Sequence, residues 1–344
     1  MKKSGMIAAA AVVLLVAEAA WTQEKVTLRQ RHVPGDYVTS VNMDMANTTQ
    51  MDDGKSVTMN MKMLMVCQMN VAKADGGGLK IDLTYKRISQ SISGGPTTMS
   101  YDSAYPNEQQ NQQLAATYKA LLDTKLTIML DADGKVAQVK GLDEMWEGLK
   151  DQNPQMQGMV EAMKQQFGEK MFKEMFFAAQ QYLPTQPVAK GESWTVNSNM
   201  EIPMIGNMDI KNQCVLKDLT KTADGTVAAI DYAGTMTRSQ TQSSPSTSPT
   251  SMPFRMGKAD IEHSGQITMN ADSGMLTQMK TELKMVMEMT IEAPEGAAKT
   301  MTISSTGTTD TTMKPGIYVP PASMPTSAPT SMPAAPAAAE GVGF

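Results

Sequence analysis

The sequence predicts an α+β fold: a strongly curved antiparallel sheet, or half-barrel, packed against amphipathic helices. Three observations predict it. The first is Val57–Val71, where Met59, Met61, Met63, Met65, Cys67, Met69 and Val71 fall on one parity while Asn60, Lys62, Gln68 and Asn70 fall on the other. Successive strand side chains point to opposite faces, so this alternation reads as one long strand with a thioether-lined inner face. The second is the regular return of turn signals, such as Asp52-Asp53-Gly54, Asp75-Gly76-Gly77-Gly78 and Asp272-Ser273-Gly274, between further alternating runs. The third is a change of period in the middle of the chain, where apolar residues recur at helical spacing.

The elements follow in order. Met1–Ala20 reads as a cleavable signal peptide: Lys2 and Lys3 are followed by the apolar run Met6–Ala17 and an A-x-A site at Ala17-Glu18-Ala19. It predicts a secreted or periplasmic protein without a stable membrane span, and no lipid-anchor Cys follows the cleavage site. Residues 21–314 read as a single α+β domain. Its strands begin with Val26–Arg31 and Tyr37–Met45, then the Met strand, then Leu79–Ile92. In the last, the apolar parity slips after Tyr85 to Ile88 and Ile92, which predicts a bulge near Lys86-Arg87. Asn107–Asp123 has helical spacing. Lys125–Leu130 and Lys135–Val139 read as a hairpin. Leu142, Met145, Trp146 and Leu149 mark a short helix, and a second, opened by Asn153-Pro154, runs towards Leu183. Strands return at Gly191–Met200, Asn207–Lys217, Thr226–Thr237, Lys258–Asn270, Met275–Ile291 and Thr300–Thr312. Residues 315–344 are Pro, Ala, Ser and Met, too poor in apolar bulk to pack, and read as a disordered tail.

Loosely matching stretches suggest two β-meander repeats, 26–141 and 191–312, with helices 142–183 between them. Gly35-Asp36-Tyr37-Val38-Thr39 parallels Gly191-Glu192-Ser193-Trp194-Thr195, and Cys67 parallels Cys214.

Composition bounds the function. The formal net charge is −5 without a basic run, which excludes a nucleic-acid partner. Aromatics make up 5% of the chain while Met numbers 34, so much of the core must be thioether. Met is flexible and fills irregular gaps, which suits an adaptable apolar surface. The ligand-lining candidates are Met59, Met61, Met63, Met65, Met69, Met279, Met285, Met287 and Met289. They define the leading expectation, a non-enzymatic envelope protein holding an apolar small molecule or lipid. Lys86 and Arg87, aimed by the bulge, are candidates for an anionic headgroup. The alternative is a structural or protein-interaction module of the envelope with an ordinary Met-rich core and a partner of unspecified kind. A third reading, Cu(I) held by thioethers, is disfavoured because Met is spread over too many elements for one site. No cofactor, dedicated metal site or catalytic residue is expected. His32 and His263 stand alone, and Asp131-Ala132-Asp133-Gly134 fails as a calcium loop because Leu142 stands where an acidic ligand is needed. Cys67 and Cys214 are either bridged or two buried thiols.

Tyr85-Lys86-Arg87-Ile88, Tyr101-Asp102-Ser103, Gly134-Lys135-Val136 and Val139-Lys140-Gly141 carry a resemblance to a family of uncharacterised secreted bacterial proteins known only as a domain of unknown function. It spans about Val26 to Lys314. The resemblance implies no activity, cofactor or site residues.

Overall fold

The computed structural model describes residues 24–95, 98–105, 111–152, 160, 161, 164, 178–202, 206–238, 254–291 and 299–321. The signal peptide, most of the second helical run and residues 322–344 lie outside them.

Twelve antiparallel strands form one sheet: β1 Gly35–Met51, β2 Ser56–Lys73, β3 Leu79–Ser93, β4 Met99–Asp102, β5 Lys125–Leu130, β6 Val136–Lys140, β7 Ser193–Ile202, β8 Gly206–Thr222, β9 Gly225–Arg238, β10 Phe254–Asn270, β11 Leu276–Ile291 and β12 Lys299–Pro315. The order across the sheet is β6-β5-β3-β2-β1-β12-β11-β10-β9-β8-β7, with β4 added to β3. Among the described residues the sheet is not closed: β6 and β7 end the strand order, and the short β4, paired only with β3, leaves a further edge. From β7 to β12 sequence neighbours pair throughout; in the other half β3 pairs β5, skipping β4 and the helical segment after it. The two halves are stitched by β1 and β12, which pair from Tyr37↔Pro315 to Met51↔Met301.

Among the described residues, two helices of more than two turns accompany the sheet. α1, Gln112–Asp123, starts where the Asn111 side chain accepts a hydrogen bond from Leu114 N at 3.0 Å. It ends where Thr124 folds back, its Oγ1 donating to Ala120 O at 2.7 Å. α2, Leu142–Gln152, has Asp143 and Glu144 in its first turn, where the helix dipole favours negative charge. It turns Met145 and Trp146 onto Leu126. Tyr118 of α1 packs with Ile88 and Tyr101.

The bulge read at Lys86-Arg87 is present. Val66 pairs with Arg87 and Cys67 with Tyr85, which leaves Lys86 without an opposite residue. Other expectations need correction. Val26–Arg31 is not a sheet strand: it makes one bridge, Val26 to Val188, and drops Leu28 (1% exposed) into the core beside Leu216 and Ile230. The chain also stays bound beyond residue 315. Gly316 N donates to Asp36 O at 2.9 Å, and Tyr318 N donates to Gln68 Oε1 at 2.7 Å.

Burial is uneven along the inner face. At one flank Ile81, Leu126, Ile128 and Ile88 are no more than 1% exposed. At the other, Leu216, Ile230, Ile267 and Cys214 are no more than 2% exposed, covered by Leu28, Tyr182 and Leu183. Tyr182 belongs to a short 3-10 turn, Ala178–Tyr182, held by Trp194 Nε1 donating to Tyr182 O at 2.9 Å.

Candidate functional site: a thioether face between two sealed flanks

Opposite residues in an antiparallel pair share a face, so the registers place every candidate. One row runs Met65–Val41–Thr311–Met279 across β2, β1, β12 and β11. The next runs Met63–Met43–Thr309–Thr281, then Met61–Met45–Gly307–Leu283, then Met59–Asn47–Ser305–Met285. The two Met ladders read from the sequence therefore stand level on one face. They are three strand steps apart, about 14 Å at ~4.8 Å per step. Met287 and Met289 extend the face to Ile303 and Met301.

These residues are neither buried nor free. Met61, Met63, Met65, Met279, Met285, Met287 and Met289 are half-buried, and Met59 is 42% exposed. Met69 departs from the set. At 3% exposure it belongs to the flank core with Tyr37, Val71 and Ile81. Five ladder residues lean towards a flank: Met63 and Met65 towards the Tyr101–Tyr118 pair, Met279 towards Ile230 and Ile267, and Met285 and Met287 towards Met208, Ala259 and Ile261.

The sequence reading left the middle of the face unassigned. Met43 and Met45 of β1, with Ser305, Gly307, Thr309 and Thr311 of β12, fill the space between the ladders. Gly307 is needed there, since a Cβ on it would meet Met45 Cγ at 2.9 Å and Asp44 O at 3.0 Å. The odd-numbered alternation Met301-Ile303-Ser305-Gly307 is visible in the sequence. What hid it was the threonine content of β12, which reads as a polar strand.

Arg87 is not available to a headgroup. Its Nε and one terminal nitrogen donate to the two Asp102 carboxylate oxygens at 3.1 and 2.7 Å, and its guanidinium lies 5.2 Å from the Tyr105 ring centre. It also shares the parity of Val66, so it stands on the face opposite the Met ladders. Lys86, at the bulge, is exposed.

Cys67 and Cys214 are two free, buried thiols, not a disulfide. β2 and β8 are separated by six steps in the sheet order, and each Cys packs in its own half, opposite Tyr85 and Tyr232 respectively. Burial pushes Cys67 up to about 12 and Cys214 up to about 11, so both are thiols rather than nucleophilic thiolates.

A small polar group interrupts the apolar flank over β8–β10. His263 Nε2 and Asn212 Oδ1 are 2.8 Å apart, and both residues are buried. Tyr232 OH is 2.6 Å from Thr281 Oγ1. Gly234 and Gly265 make room: added Cβ atoms would meet Asn212 Oδ1 at 2.1 Å and Tyr232 OH at 2.7 Å. Burial lowers the His263 pKa.

The opposite face is polar and carries two open grooves. One, of about 480 Å³, is lined by Lys211, Thr235, Glu262, Ser264, Glu282 and Lys284. The other, of about 300 Å³, lies over Asn42, Asp44, Lys62, Ser89, Thr308 and Asp310. Among the described residues, no group of three or more His, Cys, Asp or Glu side chains is placed to hold a metal ion. No helix of the described residues is long and apolar enough to cross a membrane.

Fold and face together define an open antiparallel-sheet protein with one apolar face half covered. The chain belongs to the DUF6263 family, a family of unknown function, whose model matches residues 76–276. The match is narrower than the span of about 26–314 read from the motifs, and it contains all of them. No curated protein matches the chain. Among solved structures, it is similar to lipovitellin in a structure of lipid–protein interactions, at 8% identity and a TM-score of 0.41 over 86% of this chain. The match spans 26% of the lipovitellin chain. It is also similar to an outer membrane channel from Pseudomonas putida F1 at 6% identity and TM-score 0.15, covering 82% of this chain and 97% of that one. A Rhodopseudomonas blastica porin follows at 8% identity and TM-score 0.16, covering 80% and 99%. At TM-scores this low, these likenesses carry no argument about what the chain binds.

Proposed function

We propose that this is a non-enzymatic protein of the cell envelope that binds an elongated apolar molecule, such as an acyl chain, on the thioether face of β2, β1, β12 and β11. Secretion rests on the Lys2–Ala20 sequence pattern alone. One observation carries the binding reading: the same face is sealed at both flanks and, Ser305 apart, half-exposed between them. Exposed apolar surface of this extent is costly to leave bare, and contiguous patches of it mark binding sites. Thioethers suit a ligand of undefined shape because their three rotors adapt to it. The non-enzymatic part is supported by His263, whose Nε2 is engaged with Asn212 Oδ1 and whose ring is buried beside Tyr182 and Tyr232, away from solvent.

Titration with a fluorescent long-chain fatty acid tests it. Wild-type protein is expected to raise the probe's emission saturably, and Met45→Lys with Met285→Lys to abolish the rise while the fold persists by circular dichroism. A wild-type protein that leaves the probe unchanged, and that carries no added mass in detergent-free native mass spectrometry, would defeat the reading. A second reading, a protein-interaction module, is favoured by the two open polar grooves on the opposite face. It predicts that Glu262→Lys with Glu282→Lys disturbs partner capture without touching probe binding.

A further inference from the structure

The two ends of the strand order are finished differently, apart from the four-residue edge of β4. β6 has five residues, pairs with β5 through an irregularity between Met129 and Leu130, and ends in Lys140. Short length, irregular pairing and lysine are how natural sheets deter further strands. β7 has ten residues and pairs with β8 without a register shift, from Ser193↔Val215 to Ile202↔Gly206. It contains neither Pro nor Lys. As the last strand of the order, it presents a row of backbone N–H and C=O groups that no strand of the described residues pairs.

β7 also carries an orphan. Trp194, Val196, Ser198 and Met200 are its half-buried side, while Ser193, Thr195, Asn197 and Asn199 are exposed. The Ser198 hydroxyl is buried and has no hydrogen-bond partner. An unpaired buried hydroxyl costs about 1–3 kcal/mol. Around it the strand is nearly a palindrome in chemistry: amides at Asn197 and Asn199, apolar side chains at Val196 and Met200.

We propose that β7 is a homodimerisation edge, pairing antiparallel with β7 of a second copy about a twofold axis through Ser198. That register sets Val196 against Met200, Asn197 against Asn199 and Ser198 against its own counterpart. Every meeting matches in polarity, and none of these positions brings like charges together. A hydroxyl is both donor and acceptor, so once each Ser198 side chain turns about χ1 from its covered position towards the edge, two serines satisfy each other across the axis. An axis relating antiparallel copies of one strand stands normal to the sheet, so the two thioether faces lie on the same side. The proposal does not depend on what that face binds.

Sedimentation of the purified protein and one cysteine variant test it. Wild-type protein is expected to sediment at twice its chain mass. Opposite residues in an antiparallel pair hold their Cβ atoms about 4.5–5.5 Å apart. Ser198→Cys should therefore oxidise to a covalent dimer that reductant reverses, while the buried Cys67 and Cys214 stay unreacted and Asn197→Cys, which meets Asn199, does not link. A charge pair gives a second handle. Asn197→Asp with Asn199→Asp sets acid against acid across the axis and should sediment as monomer. Asn197→Asp with Asn199→Lys sets acid against base and should keep the dimer. In both, residue 197 faces Lys211 on its own β8, while residue 199 faces Asp209, to which Asn199 Nδ2 donates at 2.6 Å; matching circular dichroism of the two variants shows that β7 stays folded in each. A monomeric wild-type protein would overturn the proposal, as would a dimer in which Ser198→Cys fails to link or the two charge variants behave alike.

Discussion

The inner face of the sheet divides into flanks and a centre, and the two differ in their mix of residues. At the flanks the fully buried side chains are mostly Ile and Leu, such as Ile81, Ile88, Ile128, Leu216 and Ile230, with Met69, Met208 and Met269 buried among them. In the centre they are Met and Thr: Met43, Met45, Thr281, Met285 and Thr309 are half-buried. The same period-2 pattern produced both. What differs is the cover: α1 and α2 over one flank, Leu28 and the Ala178–Tyr182 turn over the other. Rigid branched side chains pack to high density against a fixed cover. Flexible thioethers stand where no fixed cover is set among the described residues. Cover rather than residue type alone thus sets burial: thioethers are sealed at Met69, Met208 and Met269, and half-exposed in the centre.

The largest expected effect is in the flanks. Ile81→Ala should cost about 3–4 kcal/mol, because it opens a cavity where the side chain has no exposure. Urea denaturation reads this as a lowered midpoint. A loss below about 1 kcal/mol would erase the distinction between flank and centre, since collapse of the site would then be easy.

Acid should strike one flank harder than the centre. His32 and His263 both lie on the side of β8–β10, and burial depresses both, His32 to about 4. A histidine depressed in the folded protein binds more protons when unfolded. Its contribution is therefore complete above the ordinary value near 6.5 and is lost as pH falls from there towards 4. For His32 alone the loss is at most about 3 kcal/mol, at 1.36 kcal/mol per pH unit. Asp82 does not confuse this window. Burial opposes its ionisation, yet hydrogen bonds from Lys125, Thr127 and Lys80 hold it at about 2. Melting temperature followed from pH 7.5 to 4 checks the sign. His32→Asn should flatten the slope, and an unchanged slope would place the acid sensitivity elsewhere.

The smallest effect belongs to the centre. Met285→Ala should cost about 1 kcal/mol or less, since a half-exposed thioether loses little when removed. The same variant should weaken the fatty-acid probe. A loss as large as that of Ile81→Ala would show that the centre is covered as tightly as the flanks.

Much of the fold was legible because it is local. Alternation gave each long strand, and glycine-rich turns punctuated them. Gly54, Gly134 and Gly274 indeed adopt positive φ in the turns read from their neighbours. Even the bulge at Lys86 was visible, as a slip in parity. Val26–Arg31 shows the limit. It alternates like a strand, but the period cannot say whether a backbone row is free to receive it.

The sequence by itself determined which residues share a strand face, where the strands turn, and that thioethers dominate one side. These follow from the period of 2 and from turn stereochemistry, both properties of a few neighbouring residues. Tertiary structure alone decided that β1 meets β12, that the two Met ladders stand level across them, that Cys67 and Cys214 lie in different halves, and that Arg87 is held by Asp102. Those outcomes depend on pairings between distant segments. Loop closure leaves such pairings nearly indifferent to sequence separation, so only the assembled sheet, through burial and register, selects among them.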